Sequence, residues 1–453
     1  MPEQNGQNGA KPQETPQGIT KITVGGYKSI AQEQSIEIRP LTILAGANSS
    51  GKSSIMQPLL LMKQTLEAPF DPGALLLNGP NVRLTSAEQL LSQPRDNRHE
   101  GVFQAGIAVQ SRYPVTLFYS KQANKGFEVE KMVLHTGKEM VFTLDMLPAD
   151  ISKVFQDLGV SNLSGNLSAE GHTLCIIKNR CFLELAVQNK TRDQPLSFRF
   201  FVNAKLITGE ALSSREERCV IDIIHLPGLR GNPARTYPIT GLSELFPGTF
   251  ENYTASMLLS WQTEGEATKL QRLQTSLANL RLTSAVSAET RNDAEVEIRV
   301  GRTLKSDTSD MVSIADVGIG VSQTLPVLVA LLAAKPGQLV YLEQPEIHLH
   351  PRAQTAMAQV LADAAMRGVR VVAETHSSLL LLGVQTLVAE GKLPPELVKL
   401  HWFTRGNDGA TTIRSADLDE GGAFGDWPED FDDVTLNAQS RYLDAADAHL
   451  VRK

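Results

Sequence analysis

Apolar and polar positions along this chain follow two periods, and the switches between them mark its elements. Alternation predicts strands at Ile22-Thr-Val24 and Ser35-Ile-Glu-Ile38, on either side of the turn Gly25-Gly26-Tyr27-Lys28-Ser29. A continuous apolar run, Leu41-Thr-Ile-Leu-Ala45, then predicts a buried strand directly after Pro40. From Gly51 to about Glu67 the period becomes helical, with Ile55, Leu59, Met62 and Leu66 on one face and Pro58 inside, where it can kink the helix. Val102 to Val109, Val115 to Phe118 and Phe127 to Val129 read as hairpin-connected strands, hence an antiparallel sheet flanking the core.

The middle of the chain is less regular. A short helix is expected near Ile151 to Leu158, strands at Leu174 to Ile177, Phe182 to Val187 and Phe198 to Val202, and helices near Tyr253 to Trp261 and Ala267 to Leu280. No heptad pattern is sustained, so no long coiled-coil arm is expected. Further on come an apolar helix from Thr324 to Ala334, a strand Gln338 to Leu342, a helix Arg352 to Met366 and a strand Val369 to Ala373. Strands alternating with helices predict an α/β fold with a mixed or parallel sheet and flanking helices. Residues 1–20 are rich in Gln, Gly, Pro and Asn and are expected to be a disordered tail.

Chemistry enters where the buried strand meets its helix. Gly46, Ala47, Asn48, Ser49, Ser50, Gly51, Lys52 and Ser53, followed by Ser54, fit G-x-x-x-x-G-K-[ST]. In such a P-loop, small residues let backbone N–H groups curl round a phosphate, Lys52 reaches the β/γ-phosphates and the Ser53 hydroxyl ligates Mg²⁺. The helix that follows adds the positive end of its dipole. ATP and Mg²⁺ are the cofactors this predicts. A second glycine-rich turn, Asp316-Val-Gly-Ile-Gly-Val-Ser-Gln323, precedes an apolar helix, and alone it is an ordinary helix-capping turn. It is followed by a strand ending in Glu343-Gln344-Pro345-Glu346, where a Walker B carboxylate belongs beside Mg²⁺, and by a strand ending in Glu374-Thr-His-Ser377. Arg230 and Arg235 sit in a basic loop, and binding phosphate and being plain surface arginines are both open to them. His348 and His350 have i,i+2 spacing and no clear third ligand, which favours loop residues over a metal pair.

Composition bounds the rest. A chain of 453 residues with 42% hydrophobic residues can bury a large core and predicts about two or three domains. A net charge of −7 argues against a protein basic all over, though a local basic groove would still be compatible with nucleic acid. Cys175, Cys181 and Cys219 are odd in number and lack metal-site spacing, so no disulfide framework is implied and a reducing compartment fits. With no signal peptide and no long apolar run, the expectation is a cytoplasmic protein with no membrane association.

The P-loop, the glycine-serine-glutamine turn, the strand with E-Q-P-E-I-H-L-H-P and the strand ending E-T-H-S, in this order, resemble the ABC-type ATPases of the SMC and overcoming-lysogenization-defect group. The likeness is strongest to stand-alone ATPases of bacterial anti-phage systems, such as the PARIS and Septu ATPase subunits. It implies an ABC-type head with an antiparallel β subdomain: an N-terminal half over 21–148, an inserted α+β region over 149–292, a C-terminal half over 293–400 and a small C-terminal extension over 401–453, which includes Gly425-Asp-Trp-Pro-Glu-Asp-Phe431. It also implies a pair of heads, with ATP bound by Gly46 to Ser53 of one copy and closed over by Gly318, Gly320, Ser322 and Gln323 of the other. Glu343 would hold Mg²⁺ through water, and His376 would be the switch histidine sensing the γ-phosphate. Gln57 and Gln104 are both candidates for the glutamine that couples Mg²⁺ to the adjacent lobe.

Two departures from that pattern matter. The Walker B strand normally ends Asp-Glu, with the Glu polarising water, whereas here it ends Glu343-Gln344. A neutral amide cannot take the proton, so either Gln344 merely orients water or Glu346 acts instead, and hydrolysis is expected to be slow. Gly318 stands where a serine is common, leaving Ser322 as the hydroxyl of that turn. The stretch after His376 is too short for a nuclease domain, so any effector, such as a nuclease, is expected on a separate chain. Two functions follow: an ATP-assembled sensor or scaffold that controls such an effector, and a DNA-repair-type ATPase that clamps nucleic acid directly.

Overall fold

The computed structural model describes residues 18–93, 101–110, 112–123, 126–157, 172–189, 203–204, 207–208, 214–304, 310–425 and 440–441. The apolar run after Pro40 becomes the strand Leu41–Gly46, and all six of its residues are buried. A strand covered on both faces belongs inside a parallel sheet. Its neighbours are Arg370–Thr375 on one side and Val398–Arg405 on the other, both parallel to it. The sheet has six strands in the order Ile224–Leu226, Leu339–Glu343, Arg370–Thr375, Leu41–Gly46, Val398–Arg405 and Thr411–Ala416, and only the last is antiparallel to its neighbour. Members of this sheet therefore come from within 149–292 and from beyond residue 400, across the boundaries suggested by the sequence.

Each face of the sheet is closed differently. Leu41, Ile43 and Ala45 join one core with the helices Ile319–Ala333, Pro351–Met366 and Ser378–Ala389. Leu44, Tyr341, Val372 and Phe403 join the other core, built from the helix Lys52–Glu67 and a six-stranded antiparallel sheet. That second sheet runs Gln34–Glu37, Ile19–Gly25, Val102–Val109, Val115–Gln122, Gly126–His135 and Glu139–Phe142, which is the flanking antiparallel subdomain expected from the hairpin pattern. A smaller antiparallel sheet of Tyr237–Pro238, Glu295–Gly301, Val286–Asn292 and Met311–Ser313 packs with the helices Thr254–Thr263 and Ala267–Asn279. The fold is α/β, with a mixed central sheet between helices and an antiparallel β layer.

Several expectations shift in the fold. The helix Lys52–Glu67 is buried almost all round, because it is sandwiched between two sheets: Met56, Leu60 and Leu61 are covered as fully as Ile55, Leu59 and Met62, while Leu66 is only half-buried. It runs through Pro58 without interruption. Inside it Lys63 is fully buried, paired with Glu67 and donating to the carbonyls of Ile221 at 2.8 Å and Phe246 at 3.2 Å, which satisfies an otherwise costly buried charge. The helix after the second glycine-rich turn starts earlier than its apolar run suggests, at Ile319 with Gly318 as N-cap, so Gly320, Ser322 and Gln323 lie in its first turns. The strands expected at Leu174 and Phe182 form the hairpin His172–Asn179 and Phe182–Asn189, and the short helix spans Pro148–Asp157. The tail up to residue 17, the strand expected at Phe198 to Val202 and all but the first residue of Gly425 to Phe431 lie outside the described residues. No helix among the described residues is long and apolar enough to cross a membrane.

Next to the central strand, His401 is fully buried, with Nδ1 2.8 Å from Ser415 Oγ and Nε2 2.8 Å from the Glu37 carbonyl. Burial lowers its pKa from 6.5 to about 4. The unfolded chain therefore takes up this proton first as pH falls, so stability is complete above about pH 6.5 and drains away towards pH 4, by roughly 3 kcal/mol for a shift of this size. Denaturant unfolding of wild type and His401→Asn across that window checks it: the pH slope should be distinctly shallower in the variant, and equal slopes would refute the buried-neutral assignment.

Candidate nucleotide site

The P-loop is held open by its own backbone and by the turn after Val398–Arg405. Gly46 has φ 145°, and a Cβ there would lie 2.3 Å from the Phe403 carbonyl oxygen. Gly51 has φ 98°, and a Cβ would lie 2.4 Å from Thr411 Oγ1. Only glycine fits either position. Thr411 in turn donates its hydroxyl to the Ser50 carbonyl at 2.8 Å and its amide to the Ser29 carbonyl at 2.6 Å, fastening the loop from outside. Lys52 is 3% exposed and spans the loop, donating to the Gly46 and Ala47 carbonyls at 3.1 and 2.9 Å. Burial lowers its pKa, while nearby Glu374 and Glu346 pull the other way. An ammonium resting on neutral carbonyls gains by moving to a phosphate, whose charged oxygens make stronger hydrogen bonds. The helix Lys52–Glu67 has no acidic residue in its first turn to offset its dipole.

In front of the loop lies a cavity of about 1100 Å³. Its walls include Asn48, Ser49, Gly51, Lys52, Ser53 and Ser54 of the loop, Lys28 and Gln57 at one end, Gln344, Glu374 and His376 at the strand ends, and the turn Arg405 to Ala410. Lys28 donates to Gln57 Oε1 at 2.6 Å, whereas Gln104 faces Glu33 on the antiparallel sheet at 2.6 Å. Of the two glutamines, only Gln57 borders this cavity. His376 is half-buried, and burial, followed by the Lys52 ammonium, holds its pKa below the ordinary imidazole value.

The carboxylates are arranged otherwise than the sequence order suggests. Glu343, expected beside Mg²⁺, does not line the cavity: its carboxylate takes His225 Nε2 at 3.2 Å and the Gly228 amide at 3.1 Å. Burial pushes its pKa up, but the His225 hydrogen bond and charge, the Gly228 amide and Arg230 outweigh this and hold it below the usual range. The acid against the P-loop is Glu374, which accepts from Ser53 Oγ at 2.8 and 3.1 Å and from the Tyr341 hydroxyl at 2.9 Å. Burial raises its pKa, opposed by the Ser53 hydrogen bond and reinforced by Glu343. The strand Arg370–Thr375, which carries Glu374, lies between the P-loop strand and Leu339–Glu343. Glu346, the other candidate base, is also off the cavity: it is 6% exposed and accepts from the Thr375 hydroxyl and, at 3.3 Å, the His376 amide, so it fixes the strand end that carries His376. Gln344 does face the cavity, from a left-handed backbone with φ 46° pinned by its amide to the Glu374 carbonyl at 2.8 Å.

The second glycine-rich segment lies elsewhere. None of Gly318, Gly320, Ser322 and Gln323 borders the P-loop cavity of its own chain. Ser322 donates to the Ile319 carbonyl at 2.9 Å, and Gln323 donates to the carbonyls of Arg230 and Gly231, both at 3.1 Å. Both side chains are thus engaged inward, leaving Gly318 with open space around it and Ile319 43% exposed at the helix start. Arg230 is neither a surface arginine nor near the cavity. It is 7% exposed and donates to the carbonyls of Gln323 at 3.0 Å and Glu343 at 2.9 Å, and burial pulls its pKa down to about 10. Arg235 instead pairs with Asp316 at 2.7 and 3.1 Å on the surface. His350 caps the helix Pro351–Met366, its Nδ1 accepting from the Arg352 amide, and His348 holds a left-handed turn with φ 63°.

Sequence reasoning gave no role to Glu374, Lys28, Tyr341, His225 or the Arg405 to Ala410 turn. For Glu374 a signal existed, since an acid ends the otherwise apolar run Val-Val-Ala before His376.

A family model described as "AAA domain, putative AbiEii toxin, Type IV TA system" matches residues 218–382, just over a third of the chain, starting after the P-loop. Among curated proteins none matches this chain. Solved structures that it resembles include an Smc head bound to the C-winged helix domain of ScpA, at 11% identity and TM-score 0.44, covering 89% of this chain and 98% of that one. An SMC head domain from Thermotoga maritima matches at 9% identity and TM-score 0.39, covering 88% and 100%. An Smc head with an extended coiled coil, bound to the C-terminal domain of ScpA derived from Pyrococcus furiosus, matches at 9% and 0.46, covering 88% and 96%.

Replacing Lys52 by alanine should weaken ATP binding by about 10-fold to 100-fold, the size of a lost charge-assisted hydrogen bond. Titration calorimetry measures this directly. Equal affinity in wild type and Lys52→Ala would show that triphosphate does not bind at this loop.

Proposed function

We propose that this chain is an ATP-binding, slowly hydrolysing ABC-type head that ATP draws together with a second copy of itself, and that the assembly senses or scaffolds, controlling a separate effector in defence against phage. One observation carries the nucleotide part: a large cavity is lined at once by P-loop residues including Lys52 and Ser53, by an acid bonded to Ser53 and by His376. Mg²⁺ fits beside Ser53, because that hydroxyl gives its only proton to Glu374 and keeps lone pairs for a metal. Bound there, the ion would neutralise phosphate charge.

Assembly is supported by the placement of the second glycine-rich segment. Gly318 and Gly320 lie off the chain's own cavity, with open space around Gly318 at the helix start, so the segment is free to meet the P-loop of another copy. The defence setting is supported by the resemblance of the motifs and by the AbiEii-like family description over 218–382.

Slow turnover follows from Gln344. It faces the cavity where a base would stand and its amide takes up no proton, while Glu346 lies off that cavity, its Oε1 accepting from Thr375 and the His376 amide. General-base catalysis is worth roughly 10²–10⁴-fold in rate, so Gln344→Glu should accelerate single-turnover ATP hydrolysis by about 10² or more. If the variant hydrolyses ATP no faster than wild type, Gln344 is not at the base position and the slow-turnover reading falls.

A further inference from the structure

We propose that the acid serving the metal in this head is Glu374, on the strand next to the P-loop, and that Glu343, at the end of the following strand, is a positioning residue. This rests on the nucleotide reading above.

Three observations separate the two acids. The first is their partners. The Ser53 hydroxyl has one proton to give, and it donates to Glu374, at 2.8 and 3.1 Å. A serine so bonded keeps lone pairs with which it could ligate Mg²⁺, and the carboxylate lies beside it. Glu343 has both oxygens engaged elsewhere, by His225 Nε2 at 3.2 Å and the Gly228 amide at 3.1 Å.

The second is charge. Glu374 is 6% exposed, and its side-chain partners are two neutral hydroxyls, those of Ser53 and Tyr341. The nearby Lys52 ammonium is spent on the carbonyls of Gly46 and Ala47. A buried carboxylate is normally paired with a cation or a metal, and here the open side of the group is the nucleotide cavity. Glu343 instead sits in a polar cluster of its own, where His225 also meets Asn81 Oδ1 at 3.0 Å and stacks on Tyr341 with ring centres 5.4 Å apart.

The third is register. Glu343 and Glu374 pair directly across neighbouring parallel strands, and Thr375 pairs with Ala45 of the P-loop strand. Glu374 thus stands one strand nearer the loop than Glu343. Glu343 acts through others: with its carbonyl on Arg230 and its carboxylate on His225 and Gly228, it fixes the strand end from which Gln344 faces the cavity.

Titration calorimetry of ATP, with EDTA and with excess Mg²⁺, on wild type, Glu343→Gln, Glu374→Gln and Glu374→Asp tests the assignment. Wild type should bind ATP without metal and more tightly with it. Glu374→Gln should bind metal-free ATP as well as wild type or better, because a negative charge near the triphosphate has gone, yet lose the Mg²⁺-dependent gain by about tenfold or more. Glu374→Asp keeps the charge and should recover part of the gain, and Glu343→Gln should keep the gain. With Mn²⁺ in place of Mg²⁺, the free-ion signal in electron paramagnetic resonance should show the same ranking. The reverse ranking, with Glu343→Gln losing the gain and Glu374→Gln retaining it, would overturn the proposal while leaving the nucleotide site intact. Loss of ATP binding by Glu374→Gln in EDTA as well would also overturn it, by making the residue a structural prop. No ATP binding by wild type would instead defeat the nucleotide reading, and the proposal with it.

Discussion

The architecture turns on one constraint: the P-loop strand is paired in parallel on both sides. Because Leu41–Gly46 lies between Arg370–Thr375 and Val398–Arg405, all three strands end at the same rim. The chain leaving each end must turn there. One exit is the phosphate loop, one is Thr375-His376, and one is the Arg405 to Ala410 turn that grips the loop through Thr411. Residues more than three hundred positions apart thus meet around one cavity, and the buried apolar strands fix their mutual height. In open α/β sheets ligands bind beyond the carboxyl ends of the strands, and the cavity lies at that rim here.

Behind the rim, hydrogen bonds of Arg230 and Glu346 tie the cavity wall to the elements packed behind it. Arg230 joins the helix Ile319–Ala333, through the Gln323 carbonyl, to the end of the strand Leu339–Glu343. Glu346 ties the turn after that strand to Thr375 and His376. The second glycine-rich segment and the cavity wall are therefore mechanically connected within one chain, through buried contacts that water does not weaken. A segment engaged by a second copy at Gly318 would be continuous with Gln344 through this arginine.

Local chemistry was legible in the sequence and lateral order was not. Gly46, Gly51, Lys52 and Ser53 are a spacing pattern within one turn, and the spacing alone dictates that backbone and side chains converge. Likewise the period-two runs from Val102 to Val129 announce hairpins, which need only neighbouring residues. Which strand lies beside the P-loop is set by parallel pairing across long connections, and no short pattern reports it. Hence the sequence order points to Glu343 for the metal, while the strand beside the P-loop brings Glu374 against Ser53. Side-chain direction was also hidden: Ser322 and Gln323 look available in the sequence but lie inside the first turns of a helix and bond inward. Arg230, in a loop that reads as basic and exposed, is buried because three backbone carbonyls await its guanidinium.

In the proposed assembly, triphosphate seats on the P-loop amides of one copy and is covered by the glycine-rich helix start of another. Amide hydrogen exchange, followed by mass spectrometry with and without Mg-ATP at dilute and concentrated protein, separates the two halves of that claim. Peptides covering Asn48 to Ser54 should gain protection with ATP at either concentration, and those covering Gly318 to Gln323 only at the higher one. Unchanged exchange at Asn48 to Ser54 under saturating Mg-ATP would contradict the account at its root.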